Sequence, residues 1–167
     1  MFERMTIGIA AAVALLVAGA GTALADESGT FFMLRSYQHS YITVEHSDES
    51  YTGGVLKGTQ TVLDSSGGPF ADGMHSTSEC LVFSHSSDAG ITLEAPCVNT
   101  DLEGDLLYTT AIRDQGTIGT GGGGEGRWDI MGGTGKYAGV SGDCTYETSY
   151  LDEDRVVTSG QCTWERR

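Results

Sequence analysis

Asp101-Leu102-Glu103-Gly104-Asp105 is the densest run of carboxylates in the chain. Alternate residues of an extended stretch point the same way, so Asp101, Glu103 and Asp105 would share one side. Carboxylates so placed suit a hard cation such as Ca²⁺, or supply an acid or base at the rim of a barrel. A polar turn with Gly104 at positive φ explains the same run without chemistry, and is the preferred reading. The four histidines, His39, His46, His75 and His85, lack metal-ligand spacing and read as solvated or hydrogen-bonded side chains. No metal site is assigned.

Other motifs fail on their surroundings. Gly135-Lys136 invites a phosphate-loop reading, but Ile130 stands where that loop needs glycine and Tyr137 where it needs Ser or Thr. Gly119, Gly121 and Gly124 match a dinucleotide fingerprint only formally, in a glycine run that opens no helix. There is no Gly-x-Ser-x-Gly elbow. Cysteines committed to disulfides leave no thiol nucleophile. What remains is a set of large aromatics, Phe83, Tyr108, Trp128, Tyr137 and Tyr146, that would line an apolar ligand cavity or simply fill a barrel.

The elements that must carry these residues are strands. Short alternating stretches rich in Thr, Val, Ile and Tyr lie near Thr30–Gln38, Tyr41–His46, Val55–Leu63, Met74–Ser84 and Ile91–Val98. Others lie near Asp105–Ile112, Gly126–Met131, Cys144–Leu151 and Arg155–Trp164. No window carries a capped helical stripe. Gly121–Gly124 reads as a flexible loop or bulge. Regular turn signals between short strands predict an all-β antiparallel sandwich or barrel.

The four cysteines, Cys80, Cys97, Cys144 and Cys162, constrain the register. A hairpin turn at Ser87-Asp88-Ala89-Gly90 puts Cys80 opposite Cys97. A turn at Asp152-Glu153-Asp154 puts Cys144 opposite Cys162. Directly opposed residues lie within disulfide reach, so these are the expected pairs. Pro96 cannot donate to the ladder opposite Leu81 and requires a local irregularity. The last hairpin should turn Cys144, Tyr146, Tyr150 and Val156 inward. In the earlier one Val82, Leu93 and Ala95 share one face and Leu81 and Phe83 the other. Both faces are partly apolar, and another layer, a terminal segment or a second subunit would cover the outer one.

The N-terminus carries the pattern of a cleaved export signal. Arg4 precedes the apolar run Ile7 to Ala20, and Ala23-Leu24-Ala25 supplies the cleavage site. The expected organisation is a signal peptide over 1–25 and one domain over 26–167, periplasmic or secreted. The run is short for a membrane span. The formal net charge of −14 argues against nucleic acid and anionic membrane as partners.

Gly132-Gly133-Thr134-Gly135-Lys136-Tyr137, with Gly142 after it, resembles the glycine-rich signature of the allene oxide cyclase and dirigent barrels. The resemblance, as to a secreted bacterial relative, implies a single eight-stranded antiparallel barrel, often dimeric or trimeric, with an apolar central cavity. Its relatives guide cyclisation or coupling by holding a reactive substrate in shape, without a dissociable cofactor. None of their catalytic positions carries over to a residue here. The functional expectation is an exported barrel that holds a small apolar molecule as a non-catalytic carrier, or that is a filled structural barrel. The alternative is a cofactor-free cyclase or isomerase acting by confinement.

Overall fold

The structure, a computed structural model, describes residues 27–115, 123–152 and 154–167. The expected signal peptide over 1–25 lies outside the described residues, as do Gly121, Gly122 and Glu153. Among the described residues eight strands follow in chain order. They are β1 (Glu27–His46), β2 (Glu49–Ser65), β3 (His75–Ser87), β4 (Gly90–Asp101), β5 (Leu106–Arg113), β6 (Gly124–Gly133), β7 (Val140–Tyr150) and β8 (Arg155–Arg166). Each pairs antiparallel with the next, and β1 pairs with β8 to close the barrel. Closure satisfies the hydrogen-bonding edges that an open sheet would expose.

Period-2 alternation sets the inside. In β1 the side chains of Phe31, Met33, Arg35 and Tyr37 are buried, while Leu34, Ser36 and Gln38 are exposed. In β8 Val156, Thr158, Gly160, Cys162 and Trp164 are buried in the same rhythm. The segments expected at Thr30–Gln38 and Tyr41–His46 are one strand. His39 and Ser40 pair with Leu56 and Val55, so the β1–β2 ladder runs through the expected break. The far half of β1 projects past β8, whose pairing with it ends at Gln38.

Both hairpin registers are as expected. Cys80 faces and is bonded to Cys97, and Cys144 faces and is bonded to Cys162. The sequence separations of 17 and 18 residues make each bridge worth about 3 kcal/mol in the chain-entropy picture. Disulfides of this kind belong to oxidising compartments, which is consistent with export. The β3–β4 ladder passes over Leu81 and Val82, where Pro96 offers no N–H, while on its other side Pro96 pairs with Thr110.

The antiparallel meander gives the barrel two distinct ends. The lower end carries the β2–β3, β4–β5 and β6–β7 connections, the start of β1 and the end of β8. The upper end carries the β1–β2, β3–β4 and β7–β8 turns.

Candidate functional site: a plugged barrel with an arginine-lined interior

A plug fills the lower end. Between β2 and β3 the chain leaves the sheet and sends Phe70 into the barrel, where it is 0% exposed. Phe70 stacks on Phe31 at 4.0 Å between ring centroids and tilts against Tyr137 and Trp164. Tyr137 comes from a 3₁₀ turn, Gly135–Tyr137, and its hydroxyl donates to the Sδ of Met74 at 3.4 Å. Burial, followed by the negative charge of Asp101, holds the Tyr137 phenol protonated far above its ordinary range. Tyr137 was expected at the ligand cavity; it belongs to the plug.

Above the plug the interior turns polar. Arg35 is 0% exposed and lies over the indole of Trp128, 4.0 Å from the ring centroid. Its Nε donates to Gln60 Oε1 at 2.8 Å, and its Nη1 donates to the Tyr37 hydroxyl at 3.2 Å. Tyr37 in turn contacts Ser78 Oγ at 3.2 Å. Trp128 stacks on Tyr146 at 4.4 Å, and the Arg113 Nε donates to the Tyr146 hydroxyl at 3.2 Å. Room for these rings comes from Gly160, the β8 partner of Tyr146, where a Cβ would press on Trp128 and Tyr146.

A cavity of ≈ 50 Å³ lies among these side chains, lined by Arg35, Tyr37, Arg113, Trp128, Tyr146 and the Cys80–Cys97 bridge, with apolar neighbours such as Val156. Burial raises the Tyr146 pKa, and the neighbouring Arg113 offsets only part of that rise. Sequence reasoning missed Arg35, Gln60, Asn99 and Arg113, all buried. A sign of them was present: Arg35 falls on the apolar phase of Phe31-Met33-Arg35-Tyr37, and Arg113 extends the inward phase of Leu107-Thr109-Ala111. A charged residue in the inward phase of a strand marks either a polar core or a register error.

Toward the upper end the cavity wall is aromatic. Tyr41 stacks on His39 at 4.3 Å, and His39 meets Tyr150 edge-on at 5.8 Å. Tyr41 and Tyr150 both line the cavity, with Leu93 across from them. Burial first, then the neighbouring Tyr150, raises the Tyr41 phenol well above its ordinary value.

Like Tyr137, two more of the expected cavity aromatics lie elsewhere. Phe83 is 54% exposed and Tyr108 38% exposed, both on the outer face. The inward phases are fixed by Cys80 and Val82 in β3 and by Leu107 and Thr109 in β5, which turns Phe83 and Tyr108 outward. Phe83 instead joins Ile42, Val44, Tyr51 and Ile112 along an outer groove of ≈ 800 Å³ near the upper rim. Of the five aromatics, only Trp128 and Tyr146 reach the interior cavity.

This architecture has a counterpart among solved structures. A pterocarpan synthase dirigent protein matches with a TM-score of 0.51, covering 85% of this chain and 86% of that chain, at 12% identity. The chain has the dirigent barrel fold. No protein-family model and no curated protein matches it.

In this dirigent-type barrel the glycine run and the acidic turn, widely separated in sequence, meet at the lower rim. Lys136 Nζ lies 2.7 Å from Asp101 Oδ2 and 2.8 Å from Glu103 Oε2. The Lys136 backbone N–H donates to Asp105 Oδ2 at 3.0 Å. Asp101 Oδ1 accepts the backbone N–H groups of Glu103 and Asp105, at 2.9 and 3.0 Å. Gly104 has φ +88°, as the turn reading required. Burial by itself would raise the Asp101 pKa, but Lys136 and the two N–H donors outweigh it and hold the carboxyl below its ordinary value. The Lys136 side chain retains 31% exposure, while that of Asp101 has none. The three acids are thus relieved by an ammonium and by backbone donors. Among the described residues no group of His, Cys, Asp and Glu is arranged to hold a metal ion.

Proposed function

We propose that this protein is an exported dirigent-type barrel that holds a small, largely apolar molecule without transforming it. The observation that carries this reading is the asymmetry of the interior. The lower end is packed with Phe31, Phe70, Tyr137 and Trp164, while the cavity lies toward the upper end between Tyr41, Leu93, Trp128, Tyr146 and Val156. A purely structural barrel has no reason to pack one end and leave polar-lined space at the other.

Carriage is favoured over catalysis by the chemistry of the lining. None of the described residues lining the cavity is a carboxylate or an imidazole. The phenols of Tyr41 and Tyr146 are held protonated by burial. No group there would act as a base at neutral pH. A second reading, cyclisation or isomerisation by confinement, needs no base. It draws on the hydroxyls of Tyr37 and Tyr146, which Arg35 and Arg113 orient as donors into the cavity.

Trp128 reports on occupancy directly. Titration of the exported protein with a panel of small aromatic and medium-chain aliphatic molecules, followed by tryptophan emission, should give saturable quenching for some members. Recovery of those members unchanged after long incubation supports carriage, and turnover supports confinement catalysis. No response from any member would leave a filled structural barrel.

A further inference from the structure

We infer that the interior cavity selects a ligand bearing a carboxylate, with Arg35 as the group that reads it; the inference rests on the small-molecule-holding function proposed above. Arg35 is wholly buried, and its Nη2 has no hydrogen-bond partner among the described residues. Its other contacts are all neutral: Gln60 Oε1, the Met33 Sδ at 3.1 Å, the Tyr37 hydroxyl and the Trp128 ring. A guanidinium presents five N–H donors in a fixed planar fork and keeps its charge in proteins. Burying that charge without a counter-anion is costly, and neutral acceptors with an aromatic face offset it only in part.

Arg35 is one of the residues that line the interior cavity. Arg113 lines it as well, and no described lining residue carries negative charge. Arg35 itself has no acidic partner in that lining, in a chain whose formal net charge is −14. An oxyanion entering this space would accept from Nη2 and supply the missing counter-charge in a low-dielectric setting, where such bonds are strongest. Size narrows the class. A cavity of ≈ 50 Å³ takes a head group rather than a whole ligand. The rest of the molecule must lie toward the upper end, among Tyr41, Leu93 and Tyr150, which suit an apolar or aromatic body. A small monocarboxylic acid meets both demands.

The test uses matched pairs, benzoate with benzamide and octanoate with octanamide, in buffer free of carboxylates, followed by Trp128 emission. At pH 7 the acid should bind at least about tenfold more tightly than its amide, the usual scale for gaining a charged hydrogen bond. Arg35→Met should bring acid and amide within about twofold of each other while amide binding persists. Near-UV circular dichroism checks that the variant is folded. If it is not, the wild type still decides: the advantage of benzoate should vanish as pH falls through the acid's own pKa, with benzamide unchanged. Equal binding of acid and amide at pH 7 would overturn the carboxylate inference and leave the holding function standing. Binding of neither, with the wider panel also silent, would overturn both.

Discussion

Lys136 Nζ sits 2.7 Å from Asp101 Oδ2, and the Asp101 side chain is fully buried. The contact ties the β6–β7 glycine connection to the β4–β5 turn at the plugged end, one residue from Tyr137 in the plug itself. Removing the ammonium leaves a buried carboxylate with backbone donors alone. Lys136→Met should therefore destabilise the protein by about 1–3 kcal/mol in urea unfolding. A change within about 0.5 kcal/mol, as for an ordinary surface lysine, would contradict the clasp.

The same pair fixes a pH dependence. The Asp101 pKa is held below its ordinary value of 3.8, so its contribution is present above that value and is lost as pH falls through the depressed folded value. Lys136 is raised above its ordinary 10.5: burial opposes the rise, but Asp101 and Glu103 outweigh it. Its contribution is full below 10.5 and is lost as pH climbs through the raised value. Asp101→Asn should thus cost stability at pH 7, with the difference from wild type shrinking steadily below pH 3.8. A difference that stays constant down to acid unfolding would show that the charge of Asp101 is not what matters.

Gly135 has φ +50°, and a Cβ there would run into the Asp105 carboxylate. Gly135→Ala should cost about 1 kcal/mol or more, from the backbone conformation and from the displaced Asp105 together. Pairing it with Asp105→Ala, which removes the collision, should recover part of the loss. A neutral Gly135→Ala in thermal unfolding would contradict the placement of the turn.

Inward and outward aromatics should separate cleanly in binding. Trp128→Phe removes much of the cavity wall and should weaken any ligand detected by calorimetry. Phe83→Ala, on the outer face, should leave that affinity within about twofold. The reverse pattern would move the binding site to the outer groove along Ile42 and Phe83.

Most of the frame was legible because strand pairing obeys parity. Two turn signals placed Cys80 opposite Cys97 and Cys144 opposite Cys162, and the inward face of the last hairpin followed from that register. The join of β1 was not legible, since continuity through His39-Ser40 depends on Leu56 and Val55 across the ladder. The polar interior was harder still. Arg35 reads as a surface residue by type, and only its phase within β1 betrays it. Its partners Gln60 and Trp128 come from β2 and β6, which local sequence does not bring together. The meeting of Lys136 with Asp101 was hidden for the same reason: each run was singled out alone, and closure of the barrel brings them into contact.

Native mass spectrometry of the protein, purified without detergent or added carboxylates, tests the holding function most directly. The expected result is a population carrying one small adduct per barrel, lost on unfolding and restored by adding the released molecule back to refolded protein. A single unadorned mass, together with no adduct when the refolded protein is offered the aromatic and aliphatic panel, would contradict it.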